Sequence, residues 1–312
     1  MKRGVIVLGS VAYDDIQTPY GRVSKVLGGS GSYIGVVASY YDIFCSLVSK
    51  AGRDFSDQDR FFLEKSGVDL QNLEIDGSDN TLFWSGVYDQ DNINRHTRET
   101  KIGVFNHFDP DISKQLSSPY ALILGNIDPV IQLKVLEKFS LKPKITLLDT
   151  MDYWIQNRLD SLMEIIQKVD ILSINNQEAY NLTKKHHPKD AASELLKLGV
   201  KFVIIKLGEY GSFIYSGDNS FYMPCYPISV AKDPTGAGDC FLGGFAGYLT
   251  QTGENSFDNM KLAMQHGTVM ASFIVEDFGL KNLSQLNKEN FSERFQYLTK
   301  LIQTSKPPKS VL

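Results

Sequence analysis

Asp233-Pro234-Thr235-Gly236-Ala237-Gly238-Asp239 is a glycine-rich turn that ends in a carboxylate and opens an apolar helix. Such a turn aims several backbone N–H groups at one point, and the dipole of the helix behind it adds partial positive charge there. An anion belongs at that point. Asp239 repels anions, so its place on the rim asks for a function. General base fits: it takes a proton from a substrate hydroxyl while the N–H groups of Gly236, Ala237 and Gly238 hold the charge on a transferred phosphoryl group. An ordinary turn before a buried helix is the alternative, and it leaves Thr-Gly-Ala-Gly-Asp unexplained. Phe241, Leu242, Phe245, Tyr248 and Leu249 recur at helical spacing. Gly243, Gly244 and Gly247 interrupt them, each costing about 1 kcal/mol against Ala in a helix. Close approach of another backbone to that face is the expected cause.

Upstream, short β-branched runs alternate with amphipathic segments. Residues 4–8, 44–48, 121–124, 145–148, 170–174 and 202–205 read as strands, and the last four are nearly continuous apolar runs, as in parallel strands buried on both faces. Helical patterns at 131–139, 158–168 and 188–199 lie between them. This order predicts an α/β fold, a doubly wound and mostly parallel sheet flanked by helices, with ligands at the carboxyl ends of the strands. Asn126, Asp149, Asn175 and Lys206 follow those strands. Two regions break the rhythm: residues 13–28, with Pro19-Tyr20-Gly21 as a hairpin turn, and residues 80–106. They read as antiparallel insertions forming a small β-sheet lid over the ligand edge, or else as surface loops. One core domain over 1–304 with a flexible tail at 305–312 is expected.

A formal net charge of −4 and a pI near 5.8 argue against a nucleic-acid partner. No apolar run approaches the roughly 20 residues that span a membrane. Cys45, Cys225 and Cys240 are scattered, with neither metal-ligand nor disulfide spacing, so a cytoplasmic setting is expected.

Other constellations have two readings each. Asn175-Asn176-Gln177-Glu178 either organises water around Mg²⁺ near nucleotide phosphates or forms a helix capping box. Lys206-Leu207-Gly208-Glu209-Tyr210-Gly211 is either a hairpin turn needing two glycines or a backbone approach to a nucleotide with Lys206 near phosphate. Asp14, past the first strand and near Gly28-Gly29, is either a solvated loop acid like Asp15 or a reader of vicinal hydroxyls.

In this order these residues resemble the ribokinase-like (PfkB) carbohydrate kinase family, from about Gly4 to Gly279. The Asp233–Asp239 signature is the most specific match. Asn175 with Glu178, Lys-x-Gly-x-x-Gly, Gly28-Gly29, Gly125–Pro129 and Leu148–Trp154 support it. The resemblance implies a doubly wound fold with a closing β-lid and transfer of the ATP γ-phosphoryl group to a hydroxyl of a sugar, nucleoside or related polyol. It implies Asp239 as base, and Asn175 and Glu178 shaping the Mg²⁺–phosphate region. Asp14, Gly28, Gly29, Tyr33 and Asn126 fall near the acceptor. Lys206, Gly208, Gly211, Thr235, His266, Ser272 and Gly279 fall near the nucleotide, the last three bordering adenine. It also admits K⁺ beside Asp233 and Thr235.

The acceptor region departs from the sugar-kinase pattern. Ser30 and Tyr33 stand where a Lys or Ala and then a hydroxyl-binding Asn are common. Phe83, Trp84 and Tyr88 put aromatics in the lid, to stack on a nucleobase, to pack the lid on the body, or to join two lids in a homodimer. Arg95 and Arg98 read as binders of an anionic acceptor or as solvated charges. A catalytically silent regulator on the same fold is disfavoured by the intact Asp239 turn. A Rossmann dehydrogenase is disfavoured by Gly9-Ser10-Val11-Ala12-Tyr13, which carries no dinucleotide fingerprint after the first strand.

Overall fold

The computed structural model describes residues 3–92, 94–110, 119–139 and 141–303; the expected tail lies outside them. The chain runs β1 (Gly4–Leu8), β2 (Ala12–Thr18), β3 (Gly21–Gly28), α1 (Ser30–Ser39), β4 (Phe44–Gly52), α2 (Asp57–Lys65), β5 (Val68–Asp69), β6 (Leu73–Asp76), β7 (Leu82–Tyr88), β8 (Arg95–Lys101) and β9 (Ala121–Leu124). It continues with α3 (Pro129–Lys138), β10 (Ile145–Asp149), α4 (Asp152–Asn157), α5 (Leu159–Ile166), β11 (Ile171–Asn175), α6 (Asn176–Thr183), α7 (Pro188–Leu196), β12 (Phe202–Lys206), β13 (Ser212–Ser216), β14 (Asn219–Met223), α8 (Ala237–Thr252), α9 (Phe257–Ile274) and α10 (Lys288–Ile302).

The large sheet has the order β14-β13-β12-β11-β10-β9-β1-β4-β5, with β6 also paired to β4. From β12 through β4 the pairings are all parallel, and β13 and β14 add an antiparallel edge. The apolar runs are explained by burial on both faces. In β1, Val5 and Val7 join the core under α1, α8 and α9, whereas Ile6 and Leu8 join the core under α3, α5 and α7. The expected helix over 158–168 is α5, preceded by the separate short helix α4.

The glycines of α8 have the close neighbours their number implied. A Cβ on Gly243 would lie 2.9 Å from the Ile34 carbonyl of α1, and one on Gly244 3.0 Å from the His266 carbonyl of α9. α8 is thus clamped between two helices, which fixes where its N-terminus points.

The two insertions form a second, four-stranded sheet in the order β3-β2-β7-β8. β2–β3 and β7–β8 are antiparallel hairpins, the first turning at Pro19-Tyr20, and β2–β7 is a parallel pairing between them. Asp14 pairs with Trp84, and Tyr88 with Arg95. Side chains alternate across a strand, so one lid face carries Asp14, Trp84, Gly86, Tyr88 and Arg95. Asp15 points the other way, 3.9 Å from Arg22 and accepting from the Lys25 N–H at 2.8 Å.

Candidate active site

Gly236 caps α8 in the left-handed conformation, φ 77°. A Cβ there would stand 2.7 Å from the Tyr33 ring, so backbone geometry and lack of space both require glycine. The first turn of a helix leaves its N–H groups without intrahelical acceptors. The Ala237 N–H already donates to the Pro234 carbonyl at 3.2 Å. Of the three N–H groups expected to form the anion hole, those of Gly236 and Gly238 therefore remain, and Asp239 adds its own. Asp239 is partly buried, and its Oδ1 is shielded from solvent without a hydrogen-bond partner. Burial first, then the charge of Asp149, push its carboxyl up to about 7, with Lys206 and Arg95 pulling the other way.

Three parallel strands deliver polar groups to this point. Lys206, at the end of β12, lies with Nζ 3.1 Å from where a Gly238 Cβ would be, and pairs at 3.0 Å with Asp149 at the end of β10. Asn175, at the end of β11, caps α6: its Oδ1 accepts from the Glu178 N–H at 2.8 Å, and Glu178 Oε2 accepts from the Asn175 N–H at 2.8 Å. The capping box thus exists, and it aims Glu178 inward. Burial raises the Glu178 carboxyl well above its ordinary range, Lys206 opposes this and Asp149 adds to it. Glu178, Asp149, Lys206 and Asp239 form one electrostatic unit around the glycine turn. Asp149, noted in the sequence only for following a strand, holds the lysine in place.

Asp14 is buried on the inward lid face, not solvated. A Cβ on Gly28 would lie 2.0 Å from its Oδ2, so glycine at 28 makes room for the carboxylate. Gly29 caps α1 at φ 89°. Burial, then Asp233, lift the Asp14 carboxyl to about 8, and Arg95 lowers it. Tyr33 lies under the turn with a buried hydroxyl that has no partner. Arg95 is placed by β8 where it acts on both Asp14 and Asp239, so it is not a merely solvated charge. Its guanidinium lies 5.1 Å from the Trp84 ring centroid. The indole lies over Gly86, where a Cβ would be 2.2 Å from it, and Trp84 Nε1 donates to Thr97 Oγ1 of β8 at 3.1 Å.

Other expected residues are occupied differently. Asn126 uses its amide for structure: Oδ1 accepts from Trp154 Nε1 at 2.8 Å and Nδ2 contacts Met151 Sδ at 3.1 Å. His266 stacks on Tyr248 with centroids 4.0 Å apart, meets Phe291 and Phe295, and exchanges a hydrogen bond with the Tyr41 hydroxyl at 3.0 Å. Burial lowers its pKa to about 3. This neutral ring belongs to an aromatic core between α8, α9 and α10, which gives an adenine border no support. Ser272 Oγ donates to the Val269 carbonyl and accepts from Arg294. Gly279, φ 60°, lies beside Asp233 and β3 of the lid. Gly208 and Gly211 have φ 61° and 87° in the β12–β13 hairpin, as its turn reading requires. Thr235 is bound on both sides: its N–H donates to Asp233 Oδ1 at 2.9 Å, and its hydroxyl lies 3.0 Å from that of Tyr88.

Among the described residues no three His, Cys, Asp or Glu side chains gather into a metal cage. Mg²⁺ carried by phosphates keeps several waters and needs one or two carboxylates; Glu178 and Asp149 are the carboxylates that would hold it. No helix among the described residues is long and apolar enough to cross a membrane.

Residues 2–287 match the pfkB family carbohydrate kinase model. The chain belongs to this family. It is 31% identical over 251 residues to the cytidine kinase of Thermococcus kodakarensis, covering 78% of this chain and 88% of the relative. It is 28% identical over 295 residues to the nucleoside kinase of Methanothermobacter thermautotrophicus, covering 89% and 91%. Its fold is similar to that of a putative ribokinase II from E. coli solved with ATP and Mg²⁺, with a TM-score of 0.75 at 19% identity over 96% of this chain and all of that one. The pfkB member described above is an ATP-dependent small-molecule kinase, a phosphotransferase acting on an alcohol group of a sugar or nucleoside.

Proposed function

We propose that the acceptor is a nucleoside. The observation carrying this reading is the platform of Trp84 and Arg95 on the lid face that also bears Asp14. A planar base stacks on aromatic and guanidinium surfaces, while Asp14 accepts hydrogen bonds from the sugar hydroxyls. The cytidine kinase and nucleoside kinase relatives support the same choice.

Asp239 removes the proton of the attacking hydroxyl. Its raised carboxyl is matched to that task, because a base works best with a pKa near the operating pH. The N–H groups at the start of α8 and the Lys206 ammonium hold the charge on the transferred phosphoryl group. Asp149 keeps Lys206 aimed at Gly238. Mg²⁺, when bound with the triphosphate, neutralises phosphate charge. The buried Asp233 carboxylate, with Oδ2 unpartnered, fits a monovalent cation such as K⁺. The homodimer through the lid is not part of this reading, since the free strand β8 is fully exposed and carries Arg95, His96, Arg98, Glu99 and Lys101, and charged edges resist pairing.

The test is ATP consumption with Mg²⁺, with and without K⁺, against cytidine, adenosine, inosine, ribose, deoxyribose and myo-inositol. The expected result is kcat/KM for one nucleoside at least about tenfold above that for ribose, the scale of one stacked base. A preference for a free sugar would overturn the nucleoside reading and leave Trp84 and Arg95 as packing groups.

A further inference from the structure

We propose that Tyr88 is a positioning residue that latches the lid to the glycine turn, so that the seated lid holds the phosphoryl-binding backbone in place. This rests on the phosphotransfer reading of that turn.

Three observations converge. The Tyr88 hydroxyl, buried at the end of β7, lies 3.0 Å from Thr235 Oγ1, one residue before the left-handed Gly236. From the tip of the same hairpin, Asn92 Nδ2 donates to the Ala231 carbonyl at 2.7 Å. The lid thus holds both ends of the segment 231–235. On its other side that segment is anchored to the body, with the N–H groups of Lys232 and Asp233 donating to the Val275 carbonyl at 2.7 and 3.2 Å. The turn therefore sits between a fixed anchor and a lid contact.

The lid is built to transmit position. β2, which carries Asp14, pairs with β7 in unbroken parallel register from Ala12–Leu82 to Gln17–Val87. A sugar drawn onto Asp14 moves β7 with it, and β7 ends in Tyr88. Arg95, opposite Tyr88 on β8, completes the corner. Acceptor contact and backbone geometry at the anion hole are linked through two hydrogen-bonded strands and one hydroxyl pair. A tyrosine is needed because the ring crosses the gap and its hydroxyl meets Thr235.

The test is Tyr88→Phe, which keeps the ring. Hydrogen–deuterium exchange of the whole chain, without acceptor, should show the amides of 233–238 exchanging several-fold faster than in the wild type. With ATP and cytidine, kcat should fall about tenfold, the scale of a coupled pair, while the affinity for ATP measured by titration stays unchanged. ADP formed per cytidine phosphorylated should rise. Thr235→Val should lose the same kcat, and combining the two should cost no more than either alone. Should Tyr88→Phe fold poorly, Asn92→Gly carries the test: it suits the left-handed φ of 57° at that position and removes the second tether, and it should speed exchange in the same segment. Unchanged exchange together with an unchanged ratio of ADP to product would overturn the latch. If no acceptor is phosphorylated by the wild type, the phosphotransfer reading fails, and the exchange comparison still decides whether Tyr88 holds the turn.

Discussion

The two ends of the large sheet treat buried carboxylates in opposite ways. Where the strands begin, Asp170 accepts from the Thr146 N–H at 2.9 Å and the Thr146 hydroxyl at 2.8 Å, with Lys201 at 2.9 Å and Lys142 at 3.6 Å. Burial alone would raise its pKa, yet Lys201, Thr146 and Lys142 together hold it below the ordinary value. Where the strands end, Asp14, Asp233 and Asp239 share a small volume, and burial raises all three. Asp233 and Asp239 each keep a buried oxygen without a partner. A satisfied buried acid holds a fold together. An unsatisfied one weakens it and persists where chemistry requires a poised charge.

The contrast is broken most severely at the paired end. Asp170→Ala would leave the buried Thr146 groups without their acceptor and free two exposed lysines, and should destabilise the protein by about 1 to 3 kcal/mol, the range for leaving a buried donor unsatisfied. Urea denaturation reads this, and turnover per folded molecule should stay near wild type. A wild-type midpoint would show that the pairing at this end carries no weight.

At the unpaired end, pH sharpens the comparison. Asp239 must be a carboxylate to act as base, so kcat/KM should fall on acidification below about pH 7, about tenfold per unit. A profile flat down to pH 5 would contradict the assignment. Stability should run the other way at this site. The folded pKa of Asp239 lies above its unfolded value, so its contribution is fully present below the unfolded pKa and is lost as pH rises through about 7. Asp170, held low, contributes stability above its unfolded pKa and loses it as pH falls through the lower folded pKa.

The smallest effect belongs to the lid. Trp84→Ala should raise the KM for a nucleoside about tenfold, within the range for one base–aromatic stack, and leave kcat nearly unchanged. An unaltered KM would turn Trp84 into a packing residue.

The sequence made the local features legible. The glycine turn, the apolar strands and the Pro19-Tyr20 hairpin follow from neighbours in the chain, and each forms where it was expected. What it could not give were pairings between distant residues. Asp14 and Asp15 are identical as letters, and only the pleat of β2 turns one inward and the other to Arg22. Arg95 resembles any arginine near a polar turn until β8 pairs with β7 and carries it over Trp84. His266 falls beside Tyr41, Tyr248 and Phe291 because α1, α8, α9 and α10 pack together, and no periodicity records that. Asn175 and Glu178 form the capping box that was one of their two readings, and its geometry also presents Glu178 to Lys206.

The measurement that bears most directly on this contrast is Asp239→Asn assayed at pH 8 for both turnover and thermal unfolding. Removing a partly buried, underpaired charge while keeping the shape should lower turnover by about two to four orders of magnitude, leave ATP binding intact, and raise the unfolding midpoint by a few degrees, on the scale of about 1 kcal/mol. Turnover near the wild type, or a midpoint that falls, would contradict the account of Asp239 as a base held at the expense of stability.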